Sequence, residues 1–229
     1  PGTKGTVTIG EDGKLIYTPN PGATGTDTIT YTIKDKNGNV SEEATVTVTI
    51  DAPPVAGNDV ADTRHNKPVE IDITANDTDL DGDLDKNSVV ITQPGTKGTV
   101  TIGEDGKLIY TPNKGEHGTD TITYTIKDKN GNVSEEATVT VTIDAPPVAG
   151  NDVADTRHNK PVEIDITAND TDLDGDLDKN SVVITNPGTK GTVTIGEDGK
   201  LTYTPNKGEH GTDTITYTIK DKNGNVSEE

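Results

Sequence analysis

The residues with the clearest capacity for chemistry form one acidic run, Asn76-Asp77-Thr78-Asp79-Leu80-Asp81-Gly82-Asp83-Leu84-Asp85, which recurs from Asn169 through Asp178. Carboxylates at alternate positions on a short turn place hard oxygen donors around one point, and Gly82 permits the bend. A calcium ion accepts about six to eight such oxygens, whereas magnesium keeps its waters and uses fewer carboxylates. Without a cation, charges this close repel one another. The other way to hold the same residues is a solvated acidic turn closed by Asx hydrogen bonds. Five carboxylates between Asp77 and Asp85 exceed what a turn requires.

Asp77, Asp79, Asp81 and Gly82 match the first half of an EF-hand loop, but Ser88 stands where that loop needs a bidentate Glu, and no helical pattern flanks it. The remaining donors must therefore come from elsewhere. Asp59 in Gly57-Asn58-Asp59, with its copy Asp152, supplies one if the loop folds against the entrance of its domain, and Asp51 and Asp144 are further donors. The candidate metal ligands are Asp59, Asp77, Asp79, Asp81, Asp83 and Asp85, and in the next copy Asp152, Asp170, Asp172, Asp174, Asp176 and Asp178, with Ca2+ as the ion.

Other reactive residue types support no site. His65, His117, His158 and His210 have no Cys or second His at zinc spacing and read as surface residues. Ser88 and Ser134 lack the sequence context of an activated nucleophile, so no enzyme is expected. Threonines such as Thr138, Thr140 and Thr142 read as the solvent face of a strand rather than a ligand-binding array. Asn-Val-Ser at Asn39 and Asn132 matches a glycosylation sequon, a motif frequent by chance.

What must position the acidic run is a repeated unit. PGTKGTVTIGEDGKL begins at Pro1, Pro94 and Pro187, a period of 93 residues, or one small domain per repeat. Between the first two copies Pro21, Ala23 and Thr24 become Lys114, Glu116 and His117, and Gln93 becomes Asn186 in the next copy. Apolar residues recur at every second position: Val69, Ile71 and Ile73; Val100 and Ile102; Leu108 and Tyr110; Ile122, Tyr124 and Ile126; Val139, Val141 and Ile143. Each set points into one core. Ile109, between two inward residues, becomes Thr202 in the third copy, as an outward position allows. Asp105-Gly106 and Asn130-Gly131 mark hairpins that need positive φ. About seven short strands per repeat predict an all-β fold of tandem immunoglobulin-like, Greek-key β-sandwiches.

Asp51-Ala52-Pro53-Pro54 and Asp144-Ala145-Pro146-Pro147 end the ladders and stiffen the joints. Residues 1–52 thus read as the later part of one repeat, 53–145 as a complete one, and 146–229 as one lacking its last strand. Such a frame fits a window on a longer repeat protein. It also fits a terminal repeat that accepts a strand such as Ala44–Ile50 from an identical chain.

The 40 acidic against 20 basic residues give a net charge of −20, which excludes a nucleic-acid partner and disfavours anionic membranes. Cys and Met are absent, so neither disulfides nor readily oxidised sulfur occur. No apolar run reaches spanning length, so no membrane insertion is expected in this segment, and an export signal or anchor is expected outside it.

The stretches VAGNDVADT from Val55, PVEIDITANDTDLDGD from Pro68, GTVTIGEDGKLIYTPN from Gly98, GTDTITYTIKDKNGN from Gly118 and ATVTVTI from Ala137 resemble the tandem immunoglobulin-like or cadherin-like repeats of large bacterial surface adhesins. The resemblance implies an extracellular stalk whose repeats bind calcium and hold other domains away from the cell, its partners being the neighbouring repeats. A filament subunit joined by strand exchange and a directly ligand-binding adhesin repeat are the other two readings.

Overall fold

The structure, a computed structural model, describes residues 1–229. Strands account for all its regular secondary structure. The first repeat supplies β1 (Gly5–Ile9), β2 (Leu15–Pro19), β3 (Gly25–Tyr31) and β4 (Ala44–Ile50), paired antiparallel as β1-β2 and β3-β4. The second supplies β5 (Asp59–Arg64), β6 (Val69–Ile71), β7 (Leu84–Gln93), β8 (Gly98–Ile102), β9 (Leu108–Pro112), β10 (Gly118–Asp128) and β11 (Ala137–Asp144). These seven form two sheets, ordered β5-β11-β10-β7 and β6-β9-β8. That is the sandwich the alternation predicts.

The inward residues are where the period of two puts them. Leu108, Tyr110, Ile122, Tyr124, Ile126, Val139, Val141 and Ile143 have no exposed surface, while Val69, Val100 and Ile102 are half-buried. Burying each such side chain contributes about 1.5–3 kcal/mol. Ile109 is 38% exposed, in keeping with the threonine that replaces it at 202.

β5 shows no apolar alternation. Its Val60 is 83% exposed, and the strand exists through its parallel pairing with β11, from Val139 opposite Asp59 to Asp144 opposite Arg64. Its backbone pairing with a strand far along the chain defines it, which is why composition does not reveal it.

The two expected turns share one form. Between β8 and β9 the Gly103 N–H donates to the Lys107 carbonyl at 2.9 Å, and Gly106 takes φ +78°. That is a hairpin with one left-handed glycine. Asn130-Gly131 turns in the same way: the Asp128 N–H donates to the Asn132 carbonyl at 3.1 Å, Gly131 takes φ +96°, and Lys127 forms an antiparallel bridge with Val133 before the chain runs on to β11. The Asp128 carboxylate also gathers the N–H groups of Asn130 and Asn132 at 3.0 and 2.8 Å, and this local Asx geometry holds the turn.

The third repeat contributes β12 (Val162–Ile164), β13 (Leu177–Asn186), β14 (Gly191–Ile195), β15 (Leu201–Pro205) and β16 (Thr216–Asp221), in sheets β12-β15-β14 and β13-β16. Residues 151–157 form no strand here. A groove of about 790 Å³ lies beside them, lined by Ile164, Ile166, Leu201, Tyr203 and Tyr217 among others.

The chain divides into two compact units, one of Pro1–Gly57, Thr74–Val90 and Thr125–Ala137, the other of Asn58–Ile73, Ile91–Tyr124 and Thr138–Glu229. Each contains one repeat boundary with the acidic loop that follows it.

Candidate metal centres at the repeat boundaries

In the first unit the acidic loop folds back on the segment leaving β4. Val55 and Thr78 exchange backbone hydrogen bonds of 2.8 and 2.9 Å, and the Ala52 N–H donates to Asp81 Oδ2 at 2.7 Å. Within the loop, Asp79 Oδ1 accepts the N–H of Asp81 and Gly82 at 2.8 and 3.1 Å, and Gly82 adopts φ +77°. These bonds turn the Asp79 and Asp83 side chains inward. Asp51, Asp83 and Asp128 each bring a carboxylate oxygen within 4.8 Å of the other two. Asn130 Nδ2 donates to Asp51 and Asp83 at 2.8 and 2.9 Å, and Asn132 Nδ2 donates to Asp51 and Asp128, both at 2.7 Å.

The second unit repeats the arrangement with Asp144, Asp176 and Asp221. Asn223 Nδ2 donates to Asp144 and Asp176 at 2.7 Å each, Asn225 Nδ2 donates to Asp144 at 2.9 Å and Asp221 at 2.7 Å, and the Ala145 N–H donates to Asp174 at 2.7 Å. Each centre thus draws on the last strand of one repeat, the acidic loop of the next and the Asp-Lys-Asn-Gly-Asn loop of that same next repeat.

Two amides do not satisfy so many carboxylates. Asp79 Oδ2 and Asp83 Oδ1 are buried without a hydrogen-bond donor, as are Asp172 Oδ2 and Asp176 Oδ1 in the second centre. The chain's salt bridges pair Lys14 with Asp12, Lys107 with Glu70 and Asp105, and Lys200 with Glu163 and Asp198; none reaches either centre. Loss of hydration and the neighbouring Asp172, Asp144 and Asp221 push the Asp176 carboxyl up to about 6. Burial and Asp79 likewise raise Asp83, and burial with Asp174 and Asp221 raises Asp144. Asp128 goes the other way: burial raises it, but the Asn132 amide and the loop N–H groups outweigh that and lower it. Orphaned buried oxygens on clustered carboxylates fit a hard divalent cation with oxygen ligands, and calcium best.

The remaining candidate ligands are engaged in other ways. Asp77 Oδ1 accepts the Gly57 N–H at 2.7 Å, and Tyr124 OH donates to Asp59 at 3.3 Å and to the Ile73 carbonyl at 2.9 Å. In the third repeat Tyr217 OH reaches both Asp170 (2.9 Å) and Asp152 (3.3 Å), so these aspartates serve a tyrosine-centred network. Asp85 and Asp178 close Asx turns with Asn87 and Asn180, both at 3.1 Å. Asp128 and Asp221 are not among the candidates read from the sequence because Asp-Lys-Asn-Gly-Asn reads as a turn. Their signal was parity: Asp128 shares the inward face of β10 with Ile122, Tyr124 and Ile126.

The raised carboxyls fix a pH dependence. Asp176 holds its proton more tightly folded than unfolded, so the cation-free chain binds more protons folded between its ordinary value near 4 and about 6. In chelator, the melting temperature should therefore rise as pH falls from 7 toward 5. In calcium the trend should invert, because protons compete with the ion for the same oxygens. Parallel pH trends with and without calcium would contradict this, as read by thermal melts.

The chain matches the bacterial cadherin-like domain family over residues 1–52 and 51–145, and it belongs to that family. Residues 144–229 match the bacterial Ig domain family. A comparison with curated protein sequences finds no match. Among solved structures, an I-band fragment of titin is 10% identical, with 99% of this chain and 80% of that one covered at a TM-score of 0.41. Drosophila N-cadherin EC1-4 is 9% identical, with 96% and 60% covered at 0.38. An endo-fucoidan hydrolase of glycoside hydrolase family 107 is 16% identical at 0.32; 99% of this chain is covered, but only 38% of the hydrolase. Likenesses this remote carry no functional argument.

Proposed function

We propose that the chain is a calcium-rigidified spacer of a bacterial surface adhesin, acting outside the cell and without catalysis. The observation that carries this reading is the make-up of each centre: Asp51 or Asp144 from the end of one repeat, Asp83 or Asp176 and Asp128 or Asp221 from the next. A cation bound to all three holds consecutive repeats in one orientation. Calcium supplies charge neutralisation and a many-coordinate anchor for the carboxylates, with Asp79 and Asp172 adding their orphaned oxygens. The chain's own hydrogen bonds, above all Ala52 to Asp81 and Ala145 to Asp174, keep the donors in place. The experiment is solution scattering in calcium and in chelator, in which the spacer becomes longer and more rigid with the ion.

A second reading takes the groove of about 790 Å³ in the third repeat as the place where an identical chain would add a strand such as Ala44–Ile50. In the same scattering experiment it would appear as particle mass rising with concentration.

A further inference from the structure

Each centre is bridged by an asparagine that is followed by glycine: Asn130-Gly131 in one, Asn223-Gly224 in the other. An asparagine side chain is open to attack by the next backbone nitrogen, and glycine, having no side chain, hinders that attack least. Both asparagines lie on exposed loop positions, and a Cβ placed on Gly131 would meet nothing within 4 Å. We propose that Asn130 and Asn223 are deamidation sites that add a carboxylate to each metal centre. The Gly131 nitrogen gives up its proton to solvent base and bonds to Cγ of Asn130; solvent returns a proton to Nδ2, the Cγ–Nδ2 bond breaks and ammonia leaves. Water then opens the resulting succinimide to aspartate or isoaspartate, and the same steps apply at Asn223 and Gly224.

The structure also orders the rates. Asn130 and Asn223 each have their amide nitrogen tied to two carboxylates, by bonds of 2.7 to 2.9 Å that must break before the side chain can turn. Asn223 is shielded further, because Arg64 Nη1 donates to its carbonyl at 2.6 Å and stands 2.9 Å from where a Cβ on Gly224 would lie. Asn37-Gly38 has the same local sequence, but its side chain bridges no pair of carboxylates: Asp35 instead holds the backbone N–H of Asn37 and the side chain of Asn39. It is an internal reference within one chain.

The product changes the centre's chemistry. At Asn130 a donor to Asp51 and Asp83 becomes a further negative charge beside Asp51, Asp83 and Asp128. Without a cation the repulsion grows; with one, the added oxygen donors strengthen its hold. Slow ageing therefore makes the repeat boundary more dependent on the ion. This consequence rests on the calcium reading, whereas the chemistry of modification does not.

The test incubates the full chain at neutral pH in chelator, digests it with trypsin at mildly acidic pH, and follows the mass gain and isoaspartate content. The tryptic peptides 37–64 and 130–157 are identical, so Asn37→Gln isolates the signal of Asn130 and Asn130→Gln that of Asn37, while 223–229 reports Asn223. Asn37 should convert first and Asn130 more slowly by at least about tenfold, since one charge-assisted hydrogen bond alone corresponds to roughly that factor and two must break, with Asn223 slowest. Equal rates at all three, or no conversion of Asn130 and Asn223 after Asn37 is exhausted, would overturn the proposal. As a second measurement, Asn130→Asp with Asn223→Asp should melt lower than the parent chain in chelator; an unchanged melt would show that the new carboxylates do not load the centres. If calcium fails to restore that loss, the calcium reading fails while the modification sites stand.

Discussion

Calcium should raise the melting temperature of this chain by about 10 °C or more over chelator, and Asp83→Asn with Asp176→Asn should remove most of that gain. An ion present at a hundred times its dissociation constant stabilises the folded state by about 2.7 kcal/mol. In a domain the size of one repeat, 1 kcal/mol corresponds to roughly 4–8 °C. The double variant is informative because its two effects have opposite signs. In chelator it removes one of the mutually repelling carboxylates from each centre, so it should melt at or above the parent. In calcium it loses a ligand from each centre and should melt below the parent. A variant that is merely misfolded would melt lower in both conditions. Thermal denaturation followed by circular dichroism reads all four values.

The second large effect lies in the core. Asp120 is 4% exposed, and its carboxylate accepts the N–H groups of Thr96 and Lys97 at 2.9 Å each, that of Thr121 at 3.0 Å and the Tyr110 hydroxyl at 2.7 Å. Burial alone would raise its pKa, but these donors outweigh burial and lower it, while the Tyr110 hydroxyl is pushed up by burial and by the adjacent charge. The group thus ties the segment entering β8 to β9 and β10. Asp120→Ala strands several buried donors at once and should cost about 3 kcal/mol or more, whereas Tyr110→Phe removes one donor and should cost about 1–2 kcal/mol. Urea denaturation would measure both. An Asp120→Ala loss below that of Tyr110→Phe would contradict this account. The same contacts recur as Tyr17 to Asp27 and Tyr203 to Asp213, both at 2.7 Å.

These two results bear on what the sequence shows unaided. The period-two pattern of Ile122, Tyr124 and Ile126 specifies a strand and its inward face, because burial on one face is a local property of the chain. Asp120 shares that parity, and a carboxylate on an inward face announces a buried hydrogen-bond hub, but only the fold reveals which N–H groups it collects. The acidic run from Asp77 to Asp85 marks a candidate cation site by charge density. Its residues nonetheless part company in space: Asp79, Asp81 and Asp83 lie at the boundary centre, Asp77 serves the segment ahead of β5, and Asp85 closes an Asx turn within β7. Asp51 is legible as a donor from its place before the Pro-Pro joint. Asp128 is not, since 45 residues of chain separate it from Asp83 and only the closing of the β5-β11-β10-β7 sheet brings them together. β5 was hidden for a related reason, being defined by a partner strand far along the chain.

The two centres gather part of the acidity behind the net charge of −20. The chain's ion pairs are exposed and contribute little. Where the acidity is concentrated, two amides per centre hold the carboxylates together, and the orphaned oxygens remain for a metal.

The most direct test of the central claim is small-angle X-ray scattering of the metal-stripped chain, with calcium added in steps, beside the Asp83→Asn, Asp176→Asn double variant. The account predicts that the maximum dimension of the parent chain grows and its flexibility falls as calcium is added, while the variant stays at its calcium-free values. A parent chain whose scattering is the same in calcium and in chelator, or a variant that extends as fully as the parent, would contradict it.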